Sequence, residues 1–380
     1  MVALLIKRLF FVLFLIFGLS FNAYALQKSD ISASSAVVIN KDTKEIVFEK
    51  NAYEKRSMAS TTKIMTALLA CESGRLNEII TISRDMCGAE GTSIGLKEGY
   101  KIRFIDLVYG MLLESGNDAA NAVAVYLSGN SEAFAKLMNE KAYEIGMLCT
   151  NFVTPSGLDH EQHYTTAYDM ALLGSYAVDN PEFKNICSQK KMRVEFISPD
   201  IEVTFSNHNR LLNSYEGTYG IKTGFTKKSG RCLVSAAKRD GKDFIAVTLS
   251  AGDDWNDHKK MLDYAFSVTS NDDINIEIPS AVSVYGGVFD KIHISAKTPV
   301  VTLGFKEKSE VEQKTYIYPH LFAPVRKSDV LGYVELISDG KVLRRIDIIA
   351  TENCDSVLPT YREKRSLFRY IKDILNDMKG

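Results

Sequence analysis

The run Met58-Ala-Ser-Thr-Thr-Lys-Ile-Met-Thr-Ala-Leu-Leu-Ala-Cys-Glu-Ser-Gly74 decides how the rest of the chain is read. Ile64, Ala67, Leu68 and Cys71 recur at helical spacing, and Gly74 supplies a stop, so the pattern predicts a helix that begins near Ser60. Residues three apart share a helix face, so the Lys63 amine can reach the Ser60 hydroxyl. A serine is a poor nucleophile without an adjacent base. A lysine becomes that base when burial or a neighbouring cation depresses its pKa. The helix N-terminus adds partial positive charge where an oxyanion would form.

Alone, S-x-x-K is a weak signal, because serine is also a favoured helix cap. Two further instances exist, Ser188/Lys191 in a charged stretch and Ser338/Lys341 at an Asp-Gly turn, and neither opens an apolar-periodic helix. Two companion motifs sharpen the reading. Ser115-Gly-Asn117 lies between two apolar helical runs, and Lys222-Thr-Gly224 is expected on or at the end of a strand that precedes Cys232. The order S-x-x-K, S-x-N, K-T-G is a known signature of serine acyl-transfer enzymes. Ser128-Gly-Asn130 and Lys228-Ser-Gly230 carry rival copies, read as a helix stop and a polar turn.

Around these motifs, Ser35–Asn51 reads as a hairpin, and helices are expected near Phe104–Leu113, Ala119–Leu127, Ser131–Ile145, Thr166–Val178 and Asn256–Val268. Cys232–Ala237 and Asp243–Thr248 flank Asp240-Gly241, a strong hairpin signal. Strands at both ends with helices between predict an α+β domain, an antiparallel sheet covered by helices. From Ile274 short β-branched runs recur (274–278, 292–294, 300–303, 315–318, 332–337 and 343–349), which predicts a small all-β domain.

The ends differ from the middle. Lys7-Arg8, an apolar run through Leu19 and Ala23-Tyr-Ala25 form the pattern of a cleavable signal peptide. Leu367, Ile371, Ile374 and Met378 recur at helical spacing opposite Arg365, Arg369, Lys372 and Lys379, so residues 361–380 read as a basic amphipathic helix suited to a membrane surface. The expected division is signal peptide 1–25, catalytic domain 26–272, all-β domain 273–358 and membrane-associating helix 359–380. The formal net charge of −1 comes from 46 basic and 47 acidic residues and points away from nucleic acid. Residues 1–25 carry two bases and no acid, and 361–380 carry six bases and three acids, so the two folded domains alone hold −6. None of the six cysteines is in C-x-x-C spacing, and free thiols are expected. His160-Glu-Gln-His163 departs from H-E-x-x-H and reads as polar loop residues, so neither metal nor cofactor is expected.

With these stretches in view, the chain resembles the low-molecular-weight penicillin-binding proteins, serine-type D-alanyl-D-alanine carboxypeptidases of the penicillin-binding protein 5/6 type. The resemblance is carried by Met58–Ala67, Leu113–Asn121, Gly220–Thr226, Gly157-Leu-Asp159 and His163–Asp169, and runs from about Ser35 to Ser267, more weakly beyond. It implies a transpeptidase-like fold, a peptidoglycan stem peptide as substrate, and β-lactams as covalent inhibitors. It also implies roles: Ser60 as nucleophile, Lys63 as its base, Ser115 as proton relay, and Asn117 orienting Lys63 and the substrate amide. Lys222, Thr223 and Gly224 would line the site for the terminal carboxylate, and the backbone N–H groups of Ser60 and Phe225 would form the oxyanion hole. Phe225 stands where the family often has His, and only its backbone is needed. A serine β-lactamase is a weaker alternative, because no E-x-x-L-N exists: the residues three before each Leu-Asn are Ser73, Asn209 and Lys372. A non-catalytic penicillin-binding sensor is another, with all three motifs intact against it. The expected location is the outer face of the cytoplasmic membrane.

Overall fold

The computed structural model describes residues 26–273, 276–296, 300–304, 311–338 and 340–357. The expected signal peptide and tail helix lie outside the described residues. Two compact units emerge. The first runs through Ile39 and takes Ile46–Arg239 and Asp243–Val268; the second takes Asn40–Glu45, Asp240–Lys242 and the chain from Thr269.

The first unit opens with an antiparallel hairpin, β1 (Ser35–Asn40) and β2 (Ile46–Lys50). Helices follow: α1 (Lys63–Glu72), α2 (Phe104–Leu113), α3 (Asn117–Ser128), α4 (Ser131–Glu144), α5 (Ala167–Ala177) and α6 (Pro181–Ser188). Two small antiparallel pairs interrupt them, β3 (Ile79–Thr81) with β4 (Lys101–Arg103) and β5 (Lys191–Phe196) with β6 (Ile201–Ser206). The strands β7 (Thr218–Thr226), β8 (Gly230–Arg239) and β9 (Lys242–Ala251) and the helix α7 (Asp254–Val268) complete the unit. The sheet order β2-β1-β9-β8-β7 joins the first hairpin to the last three strands.

Alternation along the central strands explains the layering. Successive strand side chains point to opposite faces. Val37 and Ile39 of β1 and Ile245, Val247 and Leu249 of β9 enter one core, which the buried faces of α1 to α6 fill from the other side. Ala36, Val38, Phe244 and Ala246 enter a second core, closed by Met261, Leu262 and Ala265 of α7. The result is the expected antiparallel sheet covered by helices.

Sequence signals explain most boundaries. Gly129 adopts φ +82° and ends α3, and the Asn130 side chain accepts from Ala133 N at 2.7 Å to cap α4, so the rival Ser128-Gly-Asn130 is a helix–helix turn. Asp240 and Gly241 both have positive φ, as a two-residue hairpin requires. Helix α6 was not among the expected helices, although Asn180 caps it and Pro181 occupies its first turn.

The second unit is all-β among its described residues. Strands β10 (Thr269–Asp273) and β13 (Val300–Gly304) form one antiparallel pair. The strands β11 (Ala281–Ser283), β12 (Lys291–Ala296), β14 (Glu312–Ile317), β15 (Val330–Ser338) and β16 (Lys341–Ala350) form a sheet in the order β11-β12-β16-β15-β14. Val282, Ile292, Val334, Leu336 and Ile348 make its core. One expectation is corrected: Ile276 and Ile278 are not in a strand but pack as irregular chain against this core, and the strand lies earlier, at Thr269–Asp273.

His258 pins α7 to the sheet. It is fully buried, with Ser235 Oγ at 2.6 Å from Nδ1 and Thr248 Oγ1 at 3.0 Å from Nε2. Burial pushes its pKa down to about 3. The unfolded imidazole protonates near pH 6.5, so between these values acid favours the unfolded chain. Stability is therefore full above about pH 6.5 and falls as pH drops toward 3. Urea unfolding at a series of pH values should show a loss on the order of a few kcal/mol from this group. His258→Gln, which hydrogen-bonds but does not titrate, should make the slope shallower.

Candidate active site

Ser60 lies in a 3₁₀ turn, Ala59–Thr62, which runs directly into α1. The expected α-helix thus begins three residues later than Ser60, at Lys63, because the chain must first make this tighter turn. Ala59 has φ +47°, a left-handed conformation that costs a residue with a Cβ about 1–3 kcal/mol. Local bonds hold it. Thr61 Oγ1 donates to Met58 O at 2.6 Å, and Thr62 Oγ1 donates to Ala59 O at 2.8 Å. Two glycines admit the turn between its neighbours. A Cβ on Gly157 (φ +87°) would lie 1.9 Å from Ala59 O, and one on Gly224 would lie 3.0 Å from both Ser60 N and Thr61 N.

Lys63 is fully buried beneath this turn. Its Nζ lies 2.9 Å from Ser60 Oγ, 2.7 Å from Asn117 Oδ1 and 2.6 Å from Ser156 O. Asn117 Nδ2 donates to Glu90 O at 2.5 Å, which fixes the amide with its oxygen toward Lys63. Two of the three partners can therefore only accept. A neutral amine has two N–H donors and one lone pair. Donation to Asn117 and Ser156 leaves the lone pair for the Ser60 hydroxyl proton. Burial drives the Lys63 pKa well below the ordinary lysine range, the Lys222 cation adds to this, and the Asp118 carboxylate opposes it.

Ser115 and Asn117 come from the α2–α3 junction. Ser115 also holds a left-handed conformation, φ +65°, and lines the same cleft as Ser60. Asp118, which the sequence reading did not single out, organises the facing loop. Its carboxylate accepts from Ser93 Oγ (2.6 Å) and from the backbone N–H groups of Ile94, Gly95 and Leu96 (3.0 Å each). Asn117 N donates to Thr92 O at 2.7 Å, so this loop and the start of α3 form one block.

The opposite wall is β7, paired with β8 in the register Lys222↔Val234 and Gly224↔Cys232. Lys222 is buried, and its Nζ donates to Thr223 O at 3.0 Å. Burial pushes its pKa down to about 7, so a carboxylate arriving beside it would hold its proton in place. Thr223, Gly224 and Phe225 line the cleft, of ≈ 310 Å³, together with Ser60, Ser115 and Thr92. All eight residues expected at the site therefore gather around one Ser60 turn. The rival Lys228-Ser-Gly230 lies at the β7–β8 turn, where Ser229 N donates to Thr226 Oγ1 at 3.0 Å.

The cleft also holds groups that no motif announced. Arg210, Arg231, Asp254 and Trp255 line it, and Arg231 pairs with Asp254 at 3.6 Å. The guanidinium of Arg210 stands 6.0 Å from the Trp255 ring centroid. These residues are far apart in sequence and meet only through the sheet.

The histidine pair is corrected in part. His163 lies in a loop as expected, but it is buried and structural rather than exposed and polar. Its Nδ1 accepts from Val153 N at 2.9 Å, so the ring proton sits on Nε2, which donates to Thr62 Oγ1 at 2.8 Å. Thr62 in turn holds Ala59, so this ring braces the Ser60 turn. Burial pushes its pKa down to about 4. Among the described residues no group of three or more His, Cys, Asp or Glu is placed to hold a metal ion. All six cysteines are unpaired.

Known proteins resemble this chain over most of its length. A family described as D-alanyl-D-alanine carboxypeptidase matches residues 22–253, and the C-terminal domain of penicillin-binding protein 5 matches residues 267–356. The chain belongs to the D-alanyl-D-alanine carboxypeptidase family. It is a serine-type carboxypeptidase of the low-molecular-weight penicillin-binding protein kind. Bacillus subtilis D-alanyl-D-alanine carboxypeptidase DacF is 32% identical over 84% of this chain and 85% of its own. Escherichia coli DacC is 30% identical over 87% of this chain and 86% of its own. Among solved structures, penicillin-binding protein 5 from Haemophilus influenzae aligns over 87% of this chain and 100% of its own, at 26% identity and a TM-score of 0.65. The carboxypeptidase DacD from Francisella tularensis aligns over 89% and 99%, at 28% identity and a TM-score of 0.63.

Gly157→Ala tests the packing of the Ser60 turn. The added methyl must displace Ala59 O, and alanine is strained at this φ, so a stability loss of about 2–4 kcal/mol is expected. Thermal unfolding should register it, and the rate of acylation by a fluorescent penicillin should fall at least about tenfold, as displaced reacting groups lose alignment.

Proposed function

We propose that this carboxypeptidase removes the terminal D-alanine from peptidoglycan stem pentapeptides through an acyl-enzyme on Ser60. The reading rests on the Lys63 amine, buried and already committed to two acceptors, with its remaining lone pair toward Ser60 Oγ. Lys63 takes the Ser60 proton as Oγ attacks the carbonyl between the last two D-alanines. The tetrahedral oxyanion is received by the N–H groups of Ser60 and Phe225, and each such donor is worth about 10²–10³ in rate. Ser115 passes a proton to the leaving D-alanine amine. Water then attacks the ester and regenerates Ser60. A β-lactam acylates the same oxygen.

Lys222 and Thr223 receive the terminal carboxylate. Asn117 holds Lys63 and donates to or accepts from the substrate amide as its contacts exchange. Gly224 lets β7 approach the Ser60 turn closely enough for one substrate to touch both walls. In this reading residues 26–272 form the catalytic domain and 273–358 the β domain. The chain works outside the cytoplasm, on the membrane surface, where residues 361–380 lie along the headgroups.

Labelling with fluorescent penicillin tests the nucleophile. Ser60→Ala should abolish both labelling and D-alanine release from a Lys-D-Ala-D-Ala peptide; labelling that survives would remove Ser60 from the mechanism.

The second test is a pH profile of the acylation rate constant. The neutral Lys63 amine is the reactive form, so the rate should fall as pH drops through its pKa. Lys222→Gln removes the cation that depresses this pKa, so the acid limb should move to higher pH, beyond any uniform loss of rate. An acid limb that stays in place would contradict the coupling of the two lysines.

A further inference from the structure

One end of the second unit carries an apolar surface that the hydrolytic reaction does not use. Tyr285, Val288, Phe289, Phe322 and Val357 are each between 52% and 68% exposed there. They come from three segments: 284–289, 321–325 and the last described residues before 358. Residues 284–289 and 321–325 contain no charged residue; Asp290, Arg326 and Asp355 stand at the margins, and Arg326 pairs with Asp355. A continuous exposed apolar patch, unlike scattered exposed side chains, marks a surface that contacts something.

The patch is built rather than loose. Tyr285 N donates to Leu321 O at 2.8 Å, and Ala323 N donates to Tyr285 O at 3.0 Å, which sets the Tyr285 and Phe322 rings 5.8 Å apart. Val288 N donates to Asp355 O and Val357 N to Gly286 O, each at 2.9 Å. Gly287 allows the tight approach, since a Cβ there would lie 2.4 Å from Cys354 Sγ. Beneath them Val284, Leu321, Val325 and Cys354 are buried. The exposed aromatics are thus held outward by a hydrogen-bonded frame over a closed core.

The position of the chain exit says what covers this surface. Val357 is hydrogen-bonded into the patch, and the basic amphipathic segment begins a few residues later, at Tyr361. Ten residues from Val357 to Leu367, the first apolar position of that pattern, reach at most about 33–36 Å. Whatever surface the tail lies on is therefore within reach of the patch. Exposed tyrosine and phenylalanine rings suit the headgroup zone of a bilayer, where rings are partly wet and the flanking Asp290 and the Arg326–Asp355 ion pair can stay among the headgroups.

We propose that this aromatic end of the β unit inserts shallowly into a lipid membrane surface beside the tail, as a second contact that strengthens a single reversible anchor. The inference rests on the membrane reading of residues 361–380. Two linked weak contacts bind far more tightly than either alone, which a lone amphipathic helix would need for lasting attachment.

Vesicles of phosphatidylglycerol and phosphatidylcholine, with the mature full-length chain, supply the test. Phe289→Ser/Phe322→Ser should weaken vesicle binding about tenfold or more, as two aromatic side chains lose apolar contact. Its thermal unfolding and its D-alanine release from a soluble peptide should be unchanged, since both positions are exposed and outside the catalytic cleft. In Phe322→Trp, the emission of the introduced indole should shift to the blue on vesicles and be quenched by brominated acyl chains. A vesicle-bound protein in which that indole keeps the emission of a wet ring, with unchanged affinity in the double serine variant, overturns the aromatic contact and leaves the tail reading intact. Absence of vesicle binding by the full-length chain, or binding as tight as that of the unaltered chain both after deletion of 361–380 and in the double serine variant, overturns both. A blue shift that appears without vesicles and grows with protein concentration assigns the patch to a second copy of the chain and also overturns the proposal.

Discussion

The catalytic unit depends on one buried amine. Lys63 sits in the first turn of α1 with no solvent access, and a charged ammonium in that position would cost several kcal/mol of lost hydration. The fold meets this cost by lowering the pKa rather than by supplying a carboxylate ion pair. The partners at Nζ are a serine hydroxyl, an amide oxygen and a backbone carbonyl, all neutral. A neutral lysine among these acceptors has a lone pair toward Ser60, which is what the proposed role of base requires. The Lys222 cation and the opposing Asp118 carboxylate then tune a group whose main perturbation is desolvation.

Keeping that amine dry requires the walls around it to close, and much of the sequence serves this closure. The Ser60 turn is pressed between Gly157 on one side, where a methyl group would collide with Ala59 O, and Gly224 of β7 on the other, where it would be tightly crowded against Ser60 N and Thr61 N. His163 braces the turn through Thr62, while Thr66 Oγ1 reaches Pro155 O at 2.6 Å from the same helix. Asp118 gathers the loop that holds Asn117. Strained backbone at Ala59 and Ser115 persists because these contacts over-determine it; Ala59 directly precedes Ser60, and Ser115 lines the same cleft. Strain, glycine placement and buried polar contacts therefore converge on one small volume.

What the sequence disclosed follows from the range of each interaction. Ser60 with Lys63, Ser115 with Asn117, and Lys222-Thr-Gly224 are local spacings, so each motif could be read, and their order revealed that they meet. The helices and the β1–β2 hairpin were legible because burial imposes periods of 3.6 and 2. The 3₁₀ turn at Ser60 was not, because an alanine at positive φ carries no sequence signal and the apolar period of α1 runs on past its true start. Ser156 contributes a backbone carbonyl, which any residue type could carry. His163 looked like a loop histidine because its burial comes from a tertiary fold-over. Arg231 and Asp254, brought into one cleft by β8 and the start of α7, have no spacing to betray them. Ile276 and Ile278 resembled strand residues because an apolar pair at alternating positions does not distinguish a strand from irregular chain packed on a core.

The protonation state of Lys63 is the most direct measure of this account. In protein carrying carbon-13 at the lysine ε position, with the Lys63 signal assigned through Lys63→Arg, a pH titration should place that signal's midpoint well below the ordinary lysine range. It should also find the amine largely neutral where the enzyme acylates fastest. A midpoint near that of the exposed lysines, with Lys63 charged at the pH of fastest acylation, would contradict the claim that Lys63 is the base.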